Sequence, residues 1–265
     1  MAIDLKRGSD HTILGVSRRL ETCQQAVARN IVDDASPDLS LMATADVVVL
    51  CTPLGAIEAT VDQLISHLQP TTVLTDVGSV KASVVQTIAP RWSNFVGGHP
   101  MAGTAESGLD AAQANLFVDR PYVLTPVDST PPSALETVTQ IAQLLQSQVY
   151  RCHPEEHDRA VAWISHLPVM VSASLIAACL SESDTKVLKL AKQLASSGFR
   201  DTSRVGGGIP ELGVMMARYN QTALLQSLRS YRDRLDQVIQ QIESENWSAL
   251  EQQLQKTQQA RPEFL

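Results

Sequence analysis

The sequence lacks the features that mark several large protein classes. Its four cysteines show no Cys-x-x-Cys spacing, which argues against both a zinc site and a disulfide framework. No apolar run approaches membrane-spanning length, and the N-terminus lacks the apolar stretch of a signal peptide. We therefore expect a cytoplasmic protein with reduced thiols, no metal site and no membrane partner.

Basic residues are also scarce. The formal net charge is −7 at pH 7, which argues against nucleic acid as a partner because phosphate binding needs a basic face. Apolar residues make up 44% and charged residues only 18% of the chain, so we expect a packed core rather than disorder. A length of 265 residues allows two domains of ordinary size.

The first half of the chain alternates short β-type runs with amphipathic helical stretches. Val47-Val48-Val49-Leu50 is continuously apolar, as expected of a parallel strand buried on both faces. This alternation predicts an α/β domain over residues 1–152 with a mostly parallel sheet. The predicted strands are residues 12–16, 47–51, 73–76, 94–96, 122–125 and 148–151, and the predicted helices are 20–29, 56–68, 80–88, 108–116 and 133–146.

After residue 152 the strand patterns stop. The periodicity predicts an all-helical domain over residues 153–265, with helices at 155–166, 169–180, 185–196, 211–219, 221–243 and 247–259. The longest helix carries an apolar stripe from Leu224 to Ile242, which is either internal core or a subunit interface. We expect a homodimer formed through these helices.

The most informative segment is Gly97-Gly98-His99-Pro100-Met101-Ala102-Gly103-Thr104. It follows the predicted strand at 94–96, so it places a histidine at a strand's C-terminal end. A histidine there is suited to proton transfer near neutral pH. The alternative is an ordinary loop histidine in a Gly/Pro turn. The glycines on both sides favour a ligand site, because glycine lets the backbone pass close to a ligand.

Polar, glycine and proline residues gather where the other predicted strands end. Ligands of a parallel sheet bind beyond the carboxyl ends of its strands, so these positions predict a nucleotide site. The candidate cofactor-binding residues are Ser17, Arg18, Arg19, Cys51, Thr52, Pro53, Asp76 and Gly78.

Ser17-Arg18-Arg19 bears on the choice of cofactor. An acidic residue commonly ends the second strand of NAD-binding units, whereas a serine and two arginines suit the 2′-phosphate of NADP. The alternative is a solvated basic start to the next helix. We favour NADP over NAD.

Four motifs together resemble the prephenate/arogenate dehydrogenase family, and the cyanobacterial arogenate dehydrogenases most of all. They are residues 75–81 (TDVGSVK), 97–104 (GGHPMAGT), 165–168 (SHLP) and 198–204 (GFRDTSR). The resemblance covers nearly the whole chain. It implies a Rossmann-type NADP-binding domain followed by a helical dimerisation domain.

The resemblance also implies roles for individual residues. His99 matches the catalytic histidine, which takes a proton from the substrate hydroxyl while hydride passes to the nicotinamide. Ser79 matches a serine that orients substrate and histidine, and Arg204 matches an arginine that binds a substrate carboxylate. Thr104 and His166 are further candidates for substrate contact.

Two of these residues have structural alternatives. Ser79 is also a candidate N-cap for a helix that begins at Val80. His166 is equally well interpreted as a buried structural histidine, in a helix that we expect to kink at Pro168.

The expected reaction ends with loss of the ring carboxylate as carbon dioxide, which makes the ring aromatic. Many relatives that use prephenate have a second histidine directly after the His-x-Pro motif, where this chain has Val169. The absence of this histidine favours arogenate as the substrate, and the product would then be tyrosine. The alternatives are a prephenate dehydrogenase, an enzyme that accepts both substrates, and a non-catalytic remnant that keeps the dimer and the substrate cleft.

The family's sheet begins with a strand and a Gly-x-Gly-x-x-Gly turn, and neither is found in this sequence. Residues 1–8 resemble the last turns of the helix that follows them, with Gly8 at its C-cap. We expect about 15 residues, the length of a short strand, a turn and half a helix, to be absent ahead of Met1. Because the first strand is central in a Rossmann sheet, we expect weak NADP binding and poor folding until such a segment is restored.

Overall fold

The computed structural model describes residues 1–104 and 108–264. Its first part contains seven strands: β1 (Leu14–Val16), β2 (Asp34–Ser36), β3 (Val47–Leu50), β4 (Val73–Asp76), β5 (Phe95–Pro100), β6 (Pro121–Thr125) and β7 (Gln148–Arg151). Five helices accompany them: α1 (Ala2–Gly8), α2 (Leu20–Ala28), α3 (Leu54–Leu64), α4 (Ala82–Ile88) and α5 (Pro132–Leu144). The expected α/β class is confirmed.

The described strands form two sheets. β3 to β7 make a five-stranded sheet in sequence order, while β1 and β2 pair only with each other. All pairs are parallel except β5 with β6, where Gly98 lies opposite Leu124 in an antiparallel ladder. The sheet is therefore mostly parallel, as predicted, with one strand reversed beside the predicted histidine.

The core of this part lies on both faces of the five-stranded sheet. One apolar cluster joins β3 and β4 to α3 and α4, and includes Leu50, Val61 and Ile88. The second joins β5 and β6 to α5, and includes Tyr122 and Val138. Burial on both faces explains the continuous apolar run of β3.

The second part is helical, as predicted. It contains α6 (Pro154–Val161), a π-helical turn (Ala162–His166), α7 (Leu167–Leu180), α8 (Thr185–Leu194), α9 (Ser197–Ser203), α10 (Pro210–Tyr219), α11 (Gln221–Glu243) and α12 (Trp247–Ala260). On α11, Leu224 is buried, but Leu235 and Ile242 are each 48% exposed. Most of the stripe is therefore not internal core of a single chain, which favours the interface interpretation.

The helical run Pro154–Leu180 is long and apolar enough to cross a membrane by length and composition, so the expectation that no such run exists was wrong. Only 17% of its apolar window is buried in the single chain. Its exposed side chains include Trp163, Ile164 and Leu180. This run therefore adds to the apolar surface available for a subunit interface.

The predicted helix at 108–116 was wrong. Only a 3₁₀ turn, Leu109–Ala111, forms there. Gly108 and Asn115 adopt φ values of 86° and 61°, which a right-handed helix excludes. Among the strands and α-helices of the described residues, the prediction missed β2, which has three residues and is too short to show alternation, and α9.

Candidate active site

A cavity of about 470 Å³, which we call the cleft, lies at the carboxyl ends of β3 and β4 and is bounded by α10. This is the place where an α/β sheet binds ligands. Its walls come from both parts of the chain: Met1, Cys51, Thr52, Pro53, Leu54, Val77, Gly78, Ser79, His99, Pro100, Ala102, Phe117, Leu212, Met215 and Met216.

β5 brings His99 to the cleft, and two glycines allow the strand to do so. A Cβ on Gly97 would lie 2.4 Å from Thr125 Oγ1, and one on Gly98 would lie 2.6 Å from the Asp76 carbonyl oxygen. Side chains at these positions would therefore clash with the neighbouring strands. The structural reason for glycine at positions 97 and 98 is therefore the close approach of β6 and β4.

A buried ion pair between Lys81 and Asp76 stabilises β5. Lys81 Nζ contacts the Asp76 carboxylate and donates a hydrogen bond of 2.8 Å to the Gly98 carbonyl oxygen. Asp76 also accepts the backbone N–H of Gly78 at 2.8 Å and that of Gly98 at 3.1 Å. Burial lowers the pKa of Lys81, although the Asp76 charge opposes this shift. The pair holds the loop after β4 against β5.

His99 is 9% exposed and lies beside a second histidine. Its Nδ1 is 2.8 Å from Nε2 of His157, whose Nδ1 is in turn 2.8 Å from Oδ1 of Asp158. Burial lowers the pKa of His99 well below 6.5, with further contributions from His157, Lys81 and His166. The cleft therefore contains a neutral imidazole at physiological pH, as a proton acceptor requires.

Asp158 also fixes the start of α4. Its two carboxylate oxygens accept the backbone N–H groups of Lys81 at 2.7 Å and Ala82 at 2.9 Å. These groups have no partner within the helix, so a carboxylate from α6 acts as the N-cap. The prediction of a helix starting at Val80 with Ser79 as cap was wrong. Ser79 is half-buried and lines the cleft instead.

The family comparisons agree with this geometry. The chain matches the family model for the nucleotide-binding domain of prephenate dehydrogenase over residues 1–151. It matches the model for the dimerization domain of prephenate dehydrogenase over residues 153–256. The chain belongs to the prephenate dehydrogenase family. The resemblance stated from the four motifs is thus confirmed.

Individual relatives differ in their named substrate. A crystal structure of Synechocystis arogenate dehydrogenase is 53% identical, with a TM-score of 0.91, over 100% of this chain and 95% of that one. A prephenate dehydrogenase from A. aeolicus, in complex with hydroxyphenyl propionate and NAD+, is 25% identical, with a TM-score of 0.93, over 100% and 93%. Prephenate dehydrogenase of Bacillus subtilis is 30% identical over 88% of this chain, which spans 64% of its length.

Family membership makes this an oxidoreductase with a pyridine nucleotide cofactor, and its helical part a dimerisation domain. The cleft has a suitable side chain for such a cofactor. Thr52 Oγ1, at the end of β3, is buried and has no hydrogen-bond partner among the described residues. A buried hydroxyl of this kind is suited to bind a polar ligand group. Thr52 is the residue in this wall that would hold the cofactor, with Pro53 beside it.

The structure brings six of the predicted site residues together. They line the cleft: Cys51, Thr52, Pro53, Gly78, Ser79 and His99. Asp76 is not among them. Its side chain is fully buried and is engaged with Lys81, Gly78 and Gly98, so in this structure its role is to hold the loop after β4 against β5.

Other predicted residues lie away from the cleft wall. Ser17 is half-buried and Arg18 and Arg19 are exposed after β1, while Thr104 and Arg204 are also exposed. None of these five is among the cleft-lining residues.

His166 is buried in the π-helical turn, with Nδ1 3.1 Å from Asn220 Nδ2. Burial lowers its pKa to about 4. Its place fits the structural alternative.

His157, Asp158 and the methionines of α10 were not predicted. The only sequence signal for the first two was an adjacent His-Asp pair near the start of an amphipathic helix. That pair gives no indication of which distant strand it meets. Met215 and Met216 follow helical spacing that is equally typical of a core.

Proposed function

We propose that this protein oxidises arogenate to tyrosine with loss of carbon dioxide, and that NADP accepts the hydride. The observation that carries the proposal is the neutral, nearly buried His99 at the wall of the cleft, on the same wall as Ser79. A general base must be unprotonated and within reach of the proton it removes.

In this mechanism, the lone pair of His99 accepts the proton of the ring hydroxyl as that O–H bond breaks. The electrons of the adjacent C–H bond leave as hydride, and the hydroxyl carbon becomes a carbonyl. The bound nicotinamide supplies the hydride acceptor. The bond to the ring carboxylate then breaks and carbon dioxide leaves. The electrons of that bond pass through the ring to the carbonyl oxygen, which takes up a proton, so that the ring becomes an aromatic phenol. Ser79 orients the hydroxyl, and the apolar side chains of α10 exclude water from the cleft.

Val169 supports arogenate as substrate. It packs beside Gly213 on α10, the helix whose Leu212 and Met216 line the cleft. A valine there supplies no positive donor for the keto acid of prephenate. The 53% identity with Synechocystis arogenate dehydrogenase agrees with this choice.

The end of β1 supports NADP. Arg18 and Arg19 are exposed, and within residues 1–104 and 108–264 no carboxylate forms an ion pair with either. Both guanidinium groups are thus available for a 2′-phosphate, which arginine binds through paired hydrogen bonds. Oxidation of prephenate is the second candidate, favoured by the named substrate of the B. subtilis relative.

The test is a steady-state assay that crosses arogenate and prephenate with NADP and NAD. We expect kcat/KM to be highest for arogenate with NADP. A highest value for prephenate with NAD would contradict both parts of the proposal. Arg18→Ala and Arg19→Ala should lower kcat/KM with NADP and leave that with NAD nearly unchanged, and equal losses with both cofactors would contradict their role.

A further inference from the structure

We propose that His157 is a positioning residue, which together with Asp158 fixes the proton of His99 on Nδ1 and so leaves Nε2 as the proton acceptor. The proposal deepens the proposed function, because it assigns an atom and a tautomer to the base on which that function rests. His157 does not line the cleft and acts only through His99.

The first step concerns Asp158. Its oxygens already accept two backbone N–H groups, from Lys81 and Ala82, and Oδ1 is also 2.8 Å from His157 Nδ1. A carboxylate in this setting accepts hydrogen bonds, so the proton between it and His157 belongs to Nδ1 of the imidazole.

The second step follows from the tautomer of His157. A neutral imidazole with its proton on Nδ1 has a lone pair on Nε2. This lone pair lies 2.8 Å from His99 Nδ1, so His99 must donate at that nitrogen. The two rings meet edge to face, at 71° and a centroid distance of 5.0 Å, which places a ring nitrogen of one in line with the other.

The third step concerns the reacting atom. With Nδ1 committed to His157, Nε2 is the nitrogen of His99 that remains for the substrate hydroxyl. When Nε2 of His99 takes the proton, the resulting imidazolium donates through its Nδ1 to Nε2 of His157. His157 in turn donates through its Nδ1 to the Asp158 carboxylate. A fixed acceptor nitrogen with a carboxylate behind it is the arrangement that orients catalytic histidines elsewhere.

The opposite arrangement makes a different prediction. If His157 carried protons on both nitrogens, it would donate to His99 Nδ1. His99 would then hold its own proton on Nε2, and that nitrogen could not accept one from the substrate. The position of one proton therefore separates the two cases.

The first experiment is nitrogen-15 NMR of the imidazoles in the dimer without substrate, with His99 assigned by comparison with His99→Asn. We expect neutral His99 to carry its proton on Nδ1. A proton on Nε2 would overturn the proposal. Because this measurement needs no turnover, it remains decisive even if the protein oxidises neither arogenate nor prephenate, a result that would contradict the proposed function alone.

The second experiment compares His157→Gln with His157→Asn. The glutamine oxygen reaches the position of Nε2 and can still accept from His99, whereas asparagine reaches only the position of Nδ1. We expect kcat to fall on the order of 100-fold in His157→Asn and about 10-fold in His157→Gln, with KM changed by less than about 3-fold in both. The control is His11→Gln, an exposed histidine, with unchanged kcat. Equal kcat in the two His157 variants would overturn the proposal.

Discussion

Asp158 on α6 accepts the backbone N–H of Lys81 at 2.7 Å, although the two residues are 77 positions apart. This hydrogen bond joins the helical part of the chain to the loop that carries Ser79. It also gives α4 an N-cap from outside its own sequence. The cleft thus depends on contacts between the two parts as much as on either part alone.

The cap predicts a loss of stability when Asp158 is replaced. Asp158→Ala removes the acceptor for two helix N–H groups and for His157, so we expect the free energy of unfolding to fall by about 2 kcal/mol. The measurement is denaturant unfolding at fixed protein concentration, because a dimer's stability depends on concentration. Asp233→Ala, which breaks an exposed pair with Arg232, is the control and should cost less than about 0.5 kcal/mol. Equal losses in the two variants would contradict the capping role.

Close packing around Gly98 predicts that adding one methyl group there destabilises the protein. In Gly98→Ala the new Cβ would lie 2.6 Å from the Asp76 carbonyl oxygen and 3.1 Å from Thr75 Oγ1. We expect destabilisation of about 1 to 3 kcal/mol, because backbone must move to relieve the contact. Gly198→Ala is the matched control, since nothing lies within 4 Å of its Cβ position. Thermal unfolding of both variants is the measurement, and a Gly98→Ala protein as stable as Gly198→Ala would refute the packing argument.

The buried His166 predicts how stability depends on pH. Its pKa is about 4 in the folded state and near 6.5 when the chain is unfolded, so between these values the unfolded state binds more protons. The stability of the fold that depends on a neutral His166 is therefore fully present above pH 6.5. As the pH falls towards 4, the free energy of unfolding decreases by up to about 3 kcal/mol. Unfolding free energies across this range should fall less steeply in His166→Gln. Parallel curves for the variant and the parent protein would contradict the assignment.

The environment of His99 predicts how kcat/KM falls at acid pH. Burial holds its pKa well below 6.5, so the base stays neutral until the solution is distinctly acidic. We expect kcat/KM, which reports on the free enzyme, to decline only below pH 6.5. An acid limb with an apparent pKa of about 7 or above would show that another group controls the rate.

Local periodicity was sufficient to predict much of the fold. The apolar run of β3 and the helical spacing of α11 are determined by residues close in sequence, and both predictions were confirmed. The failures occurred where backbone conformation overrides the pattern. At Gly108 and Asn115, positive φ values interrupt a segment whose apolar residues do follow helical spacing.

The candidate site was predictable only in part, for a physical reason. His99 and Ser79 lie at strand ends and carry their signal in neighbouring residues. His157 is 58 positions from His99, and what makes it important is a contact of 2.8 Å that exists only after α6 packs on β5. The same holds for Asp76. Its place at a strand end predicts ligand binding, whereas in the folded chain its carboxylate contacts Lys81, a contact that sequence position alone does not indicate.

The central claim is that His99 accepts the substrate proton during nicotinamide reduction. The most direct test is the rate of reduced nicotinamide formation by His99→Asn with saturating arogenate and NADP, beside His11→Asn as a control at an exposed position. The account predicts a kcat about 100- to 10,000-fold below that of the parent protein, with the control unchanged. A His99→Asn protein within about 10-fold of the parent would contradict it.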